Sequence, residues 1–391
     1  MDFLVFSHLR WDFVYQRPQH LLSRCARQQR VFFWEEPVFL EAVNPELSVK
    51  DTADGVTVCV PQLPQGLPQN EVFRTQETML KSFLKKQKLE SYVLWYYTPM
   101  ARNFSRDLDP EVVIYDCMDE LSGFRGAPPG LRAAESELFD AADLVFTGGR
   151  SLYESKRNRH PSVHCFPSSI DVKHFAKARR HSSEPEEQAG IAHPKLGFAG
   201  VIDERMDLDL IRAVAESRPE WQLVMIGPVV KISETDLPRL ANIHYLGARS
   251  YGDLPSYMSG WDVGMLPFAL NESTKFISPT KTPEYLAAGL PVVSTPITDV
   301  VRPYGESRLA HIAATPAEFI AAIERCLAPA TAEAERQRLQ AVDDFLALSS
   351  WDRTWSDMRS LILAAAETTT DSGDVRGEYP GEAIAGMATA D

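Results

Sequence analysis

Short, strongly apolar runs recur through the first half of the chain: "FLVFS", "VFFWEE", "VTVCVP", "YVLWYY", "VVIYD", "LVFTGG" and "VHCFPSS". They are β-branched or aromatic, bounded by turn residues, and several are apolar at consecutive positions. This pattern predicts strands buried on both faces of a parallel sheet. Between them lie helix-like stretches such as "QHLLSRCARQ", "TQETMLKSFLKKQK" and "GLRAAESELFDAA", giving the βαβ rhythm of a doubly wound sheet. The rhythm breaks at "AKARRHSSEPEEQAGIAH", which is charged and lacks apolar periodicity. It restarts with "KLGFAG", "WQLVMIG", "IHYLG", "VGMLPF", "PVVST" and "AHIA". The prediction is an α/β chain with two Rossmann-like domains, 1–176 and 194–345, joined by a linker over 177–193. A helix over 346–366 carries Trp351, Trp355, Met358, Leu361 and Ile362 on one side, and residues 367–391 have too few large apolar residues to order themselves.

Composition narrows the function classes. The chain has 391 residues, 44% of them hydrophobic, enough for two domains with real cores. A formal net charge of -14 argues against nucleic acid as the main partner, although a few local cations suffice for one nucleotide. The five cysteines, Cys25, Cys59, Cys117, Cys165 and Cys326, include no C-x-x-C pair, which disfavours zinc and a disulfide framework. The first residues run straight into a strand, so no signal peptide is expected. No apolar run approaches the ~20 residues of a membrane span. A cytoplasmic protein is the expectation, with membrane association left open.

Open parallel sheets bind ligands outside the carboxyl ends of their strands, and two facing sheets create a cleft. Candidate residues therefore lie after predicted strands. In "SPTKTPEYLAAGLPVVST", Thr282 could cap a helix with Pro283 at its first position, Lys281 just ahead and Glu284 in its first turn. Such a helix start suits an anion, and the glutamate could hold a vicinal diol; a well-capped surface helix with solvated charges fits equally. Gly200 and Gly227 end two strands and permit close backbone approach. Arg205 offers a forked positive charge to a phosphate or pairs with Asp203 or Asp209. In the first half, "HLRWDFVYQRPQHLL" places Arg10, Trp11, Phe13, Gln16 and Arg17 in the first βα loop. Rings there suit a sugar-lined cleft or a satellite core, with Trp11 and Phe13 leaning to core. "VVIYD" ends in Asp116, followed by Asp119 and Glu120, which read as a general base, sugar-hydroxyl contacts or solvated loop acids. Thr147, Gly148 and Gly149 turn into the next helix.

The order of these pieces resembles a GT-B glycosyltransferase of the family 4 type, the glycosyl transferases group 1. The resemblance is carried by "YDCMDE", "LVFTGG", "PSSIDVKHF", "FAGVIDERMDLDLI", "LVMIGP", "IHYLGARSYGDLPSYM", "VGMLPF" and, most specifically, "KTPEYLAAGLPVV". It covers roughly residues 1 to 365. The opening "LRWDFVYQRPQHLL" is similar to a bacterial subgroup of surface-polysaccharide synthesis that includes teichuronic acid glycosyltransferases. The resemblance implies a donor site on the second domain with Glu284 on the ribose, Lys281 and Arg205 on the diphosphate, and Thr280, Gly200 and Gly227 beside them. It implies an acceptor on the first domain at Arg10, Trp11, Gln16 and Arg17, with Asp116 or Asp119 near the reacting atoms where the family has a histidine. It implies a retaining reaction that uses no metal and no cofactor beyond a nucleotide-diphosphate sugar, UDP being the leading nucleotide. The acceptor would be a glycan or a lipid-linked glycan, with peripheral contact at the inner membrane face. Two departures stand out: the first of the family's paired glutamates falls on Phe276, and a bulky first loop replaces a glycine-rich one.

Three other functions compete. A nucleotide-sugar epimerase on this fold would need a cleft histidine, for which His8 and His20 are available. A dinucleotide oxidoreductase would need G-x-G-x-x-G, which neither half contains. A degenerate, non-enzymatic nucleotide-sugar binder would explain the lost glutamate.

Overall fold

The computed structural model describes residues 1–180 and 184–373. The apolar runs form two separate sheets. In the first domain β1 (Asp2–Ser7), β2 (Val31–Glu35), β3 (Val38–Leu40), β4 (Glu46–Asp51), β5 (Val56–Pro64), β6 (Tyr92–Tyr96), β7 (Val112–Cys117), β8 (Leu144–Thr147) and β9 (Val163–Cys165) make one sheet. Its order is β3-β5-β2-β1-β6-β7-β8-β9, parallel except for β4, which pairs antiparallel with β5 at the edge. In the second domain β10 (Lys195–Ala199), β11 (Gln222–Ile226), β12 (Ile243–Gly247), β13 (Val263–Leu266), β14 (Val292–Ser294) and β15 (Ala310–Ile312) are ordered β12-β11-β10-β13-β14-β15. The strand order reverses beside β1 and beside β10, and a switch point of this kind is where open α/β sheets bind ligands. This is the two-domain parallel-sheet architecture expected from the pattern.

The helices cover both faces. In the first domain they include α1 (Arg17–Cys25), α2 (Gln69–Gln87), α3 (Leu131–Ala141) and α4 (Arg150–Lys156); in the second, α5 (Leu208–Ser217), α6 (Lys281–Ala287), α7 (Pro316–Leu327) and α8 (Ala332–Leu346). Local chemistry sets their starts. The Asp207 carboxylate accepts from Leu210 N at 2.8 Å ahead of α5. Thr315 and Glu318 form a reciprocal capping box ahead of α7, with Pro316 at its first position.

The last helix, α9 (Trp351–Gly373), crosses back to the first domain. Trp351, Met358 and Ile362 are buried in the core beneath β1, β6 and β7, with Trp355 and Leu361 packed against it. Trp351 stacks on His20 at 4.5 Å between ring centroids. The helix runs past residue 367, so the expected loss of order does not begin there; residues 374–391 lie outside the described ones.

The segment read as a linker is docked on the second domain instead. Arg179 donates to the Ala287 carbonyl at 2.8 Å. Glu184 pairs with the buried Lys195 at 2.5 Å, and Gln188 accepts from Trp261 Nε1 at 2.9 Å while donating to the Tyr257 carbonyl. Its charges have specific partners on the second domain, which local periodicity does not reveal.

Candidate active site

The carboxyl ends of the two sheets face each other across a cleft. One part is a cavity of 310 Å³ between the loop at Trp11–Tyr15 and second-domain strand ends at Gly200, Gly227 and Tyr251, with Lys281 and Glu284 at its base. A second part of 110 Å³ continues past Lys281 to Gln16, Arg17 and Asp119 on one side and Arg205, Ser278 and Thr280 on the other. The two parts share Val14, Thr280 and Lys281, so Lys281 stands at their junction.

Lys281 is the first residue of α6, and the residue before it, Thr280, takes the cap position. Thr282 and Pro283, expected at the cap and the first helical position, are instead the second and third residues of the helix, both buried. The helix has seven residues, so the charge facing an anion comes mainly from the lysine itself. The lysine makes no hydrogen bond or ion pair among the described residues. Burial lowers its ammonium pKa, with Glu284 opposing. Glu284 is 8% exposed; burial raises its carboxyl pKa, opposed by Lys281 and by a hydrogen bond from Thr280. Two glycines make room for this arrangement. A Cβ on Gly200 would meet Lys281 Cε at 2.4 Å, and one on Gly227 would lie 1.8 Å from the Gly200 carbonyl oxygen. The lysine therefore lies across a strand end that only glycine leaves bare.

Arg205 is engaged rather than free. Its Nε and Nη2 donate to Asp203 at 2.7 to 3.1 Å. Phe124, from the loop after β7, lies beneath both Arg205 (5.7 Å) and Lys231 (4.9 Å), a cation–π contact across the cleft. Nothing in the local sequence marks Phe124 or Lys231, because the contact exists only once the domains face each other.

The two candidate acids separate. Asp116 is fully buried and takes a fork of bonds at 2.9 to 3.1 Å from Arg17 Nε and Nη2, while Arg17 Nη1 donates to the Phe166 carbonyl. Asp116 lines neither part of the cleft, so its place is beneath the site, holding Arg17. Burial raises its pKa and Arg17 opposes this. Asp119 faces the cleft opposite Lys281 and Arg205. Burial pushes its carboxyl up to about 6, against the pull of Arg205 and Arg17.

The first βα loop also divides. Arg10 pairs with Glu35 at 2.9 Å and donates to the Glu36 carbonyl. Trp11 is 6% exposed, packs edge-on against Phe33 at 5.1 Å and touches the cleft at one edge. Gln16 precedes α1, its backbone N–H donating to Gln19 Oε1 at 3.1 Å, and lines the smaller cavity with Arg17. Phe13 is 47% exposed at the rim. Tyr15 stacks on Tyr251 of the second domain at 4.7 Å, and Tyr251 stacks on His174 at 4.4 Å. The buried Tyr251 hydroxyl has no hydrogen-bond partner among the described residues. Phe276 packs against the first-domain core beneath Lys275, while Ile277 and Ser278 line the cleft in its place. His8 and His20 are not cleft-lining residues. Burial lowers both, to about 4 and about 3.

Polar contacts join the domains around this cleft. Ser168 Oγ donates to the Ser278 carbonyl at 2.6 Å. Asp299 caps the start of α4 by accepting from Ser151 N at 2.9 Å, a close approach that Gly149 permits.

Residues 193–329 match the family model described as "Glycosyl transferases group 1". The second domain is thus similar to that family, and the chain has the GT-B fold. It is 26% identical over 257 residues, 61% of this chain, to TuaH of Bacillus subtilis, whose name assigns it to teichuronic acid biosynthesis as a glycosyltransferase. It is also 26% identical over 210 residues, 51% of this chain, to UDP-glycosyltransferase 91C1 of Arabidopsis thaliana. The matches cover 64% and 44% of those two proteins' lengths, so the chain spans less than two thirds of each. Among solved structures, sucrose-phosphate synthase of Thermosynechococcus elongatus shares the fold with a TM-score of 0.69 at 14% identity, over 94% of this chain and 100% of that one. An E. coli trehalose-6-phosphate structure bound with UDP-2-fluoro glucose gives 0.67 at 13% identity, over 93% and 99%. Among the described residues, no helix is long and apolar enough to cross a membrane.

Proposed function

We propose that this protein transfers a sugar from a nucleotide-diphosphate sugar, UDP being the leading nucleotide, to a hydroxyl of a glycan or lipid-linked glycan. The observation that carries the reading is Lys281, without an ion-pair partner among the described residues, beside Glu284 at the junction of the two cleft cavities. The larger part takes the nucleoside, with Glu284 accepting hydrogen bonds from the ribose hydroxyls. The diphosphate lies at Lys281 and Arg205, and the sugar enters the smaller part toward Asp119. In the reaction the bond from the anomeric carbon to the phosphate oxygen breaks and a bond to the acceptor oxygen forms. The nucleoside diphosphate leaves with the bonding electrons, and positive charge already in place stabilises it. Lys281 and Arg205 take this part, so the chemistry needs no metal. The acceptor proton passes to the departing phosphate oxygen or to Asp119. Passage to phosphate puts the acceptor on the leaving-group face and retains the anomeric configuration. Similarity to TuaH, named for teichuronic acid biosynthesis, supports a role in bacterial surface-polysaccharide synthesis.

A donor-hydrolysis assay with UDP-, GDP- and dTDP-sugars tests this. Release of nucleoside diphosphate and free sugar from one of them supports transfer. An epimerised sugar supports the epimerase reading. No turnover together with no nucleotide binding would sink the proposal.

A further inference from the structure

A larger cavity lies wholly on the first domain. It holds 690 Å³ between the ends of β1, β2 and β6 and the helices α2 and α3, a size suited to a drug-sized ligand. Its wall is mainly aromatic and aliphatic: Phe6, Trp34, Phe39, Val72, Phe73 and Phe104. Phe39 is 44% exposed at the rim, although a free apolar ring gains from being covered.

Three polar side chains in the same wall make no side-chain hydrogen bond among the described residues. The buried Trp34 Nε1 has no acceptor among the described residues. Gln76 and Thr98, both buried, make no side-chain hydrogen bond among the described residues. The Gln76 and Thr98 side chains are available to hydrogen-bond a ligand's hydroxyl in the cavity. The ionisable groups in the wall are all acids: Glu35, Glu36 and Glu137. Glu35 is paired with Arg10 and Glu137 with Arg106, while burial raises the Glu36 carboxyl. Among the described residues no lysine or arginine lines the cavity, so it offers no cation to a phosphate or carboxylate.

One loop links the cleft to the cavity wall along the chain. Asp119 starts the loop at the cleft, Phe124 lies beneath Arg205 and Lys231, and Pro128–Gly130 form part of the cavity wall. On the other side, Ser7 and Thr98 of the cavity directly neighbour His8 and Tyr97 in the chain.

We propose that this cavity holds the apolar body of an uncharged amphiphilic acceptor, an alkyl or isoprenyl chain ending in a hydroxyl or neutral sugar that reaches toward Asp119. The inference rests on the transferase reading for the word acceptor, but the binding itself requires neither donor nor turnover. It deepens that reading by naming what the first domain recognises.

The test is a fluorescence titration of the full-length protein with two probes sharing one body, dansylamino-undecanol and dansylamino-undecanoic acid. The neutral alcohol is expected to bind saturably and at least fivefold more tightly than the carboxylate. Ala133 is an exposed α3 residue in the cavity wall, and Ala133→Trp is expected to weaken the alcohol at least tenfold. Phe39→Glu, at an exposed edge, is expected to do the same with the thermal midpoint unchanged. No saturable binding, equal binding in both variants, or tighter binding of the acid would overturn the proposal. Loss of donor hydrolysis with probe binding intact would instead count against the transferase reading.

Discussion

Lys281 lies across the bare backbone of Gly200, so close that a methyl group there would meet its Cε at 2.4 Å. The pair makes one device: a strand end without a side chain, and a cation spanning it toward the cleft. Gly200→Ala would displace the lysine tip, and Lys281→Ala would remove it. Each substitution is expected to weaken nucleoside-diphosphate binding at least fivefold. Because both act on one cation, the double variant is expected to lose little more than either single one. Calorimetric titration of the four proteins checks this, and additive losses would show two independent effects.

Asp119 is held up to about 6 by burial. If it works as an ionised base or hydroxyl acceptor, kcat/KM rises with pH through about 6 and levels off above it. Asp119→Asn removes this limb and lowers the plateau by about 10²-fold or more. Stability runs the other way. A carboxyl raised above its unfolded value binds protons more tightly when folded, so stability falls as pH rises from about 4 through about 6. Asp119→Asn should therefore raise the thermal midpoint at pH values well above 6. An unchanged pH–rate profile would take Asp119 out of the reaction.

Asp116 is expected to matter for folding first. Removing one partner of a buried, hydrogen-bonded ion pair costs about 3–5 kcal/mol, and Asp116→Ala leaves Arg17 uncompensated inside the first domain. The paired change Arg17→Met with Asp116→Leu should recover part of that loss. Urea unfolding of the three proteins measures it. A cost below about 1 kcal/mol for Asp116→Ala would mean that water reaches the pair.

Much of the fold could be read from the chain, because strands buried on both faces announce themselves as unbroken apolar runs. β4 could not: residues 46–51 are mostly exposed at a sheet edge, and "ELSVKD" shows no apolar run. The site was legible in its stations but not in its pairings. Asp116 and Asp119 look alike in sequence, and only Arg17, 99 positions away from Asp116, separates the buried acid from the cleft acid. The sequence points to Thr282 as the cap, and only the path of the loop from β13 shows that Thr280 precedes the first turn. Phe124, Tyr15 and Tyr251 acquire meaning only across the domain interface. The large first-domain cavity likewise has no linear signature, since its wall is drawn from many separate segments.

The most direct measurement of the central claim is the affinity of ribo- and deoxyribo-nucleoside diphosphates, UDP first, for the wild-type and Glu284→Gln proteins. The account predicts one site per chain in the wild type and a preference for the ribonucleotide. It predicts at least a tenfold loss for that ribonucleotide in Glu284→Gln, with the deoxy analogue changed much less. Absence of binding to the wild type, or an equal loss for both sugars, would contradict the assignment of Glu284 to the ribose and of this cleft to the donor.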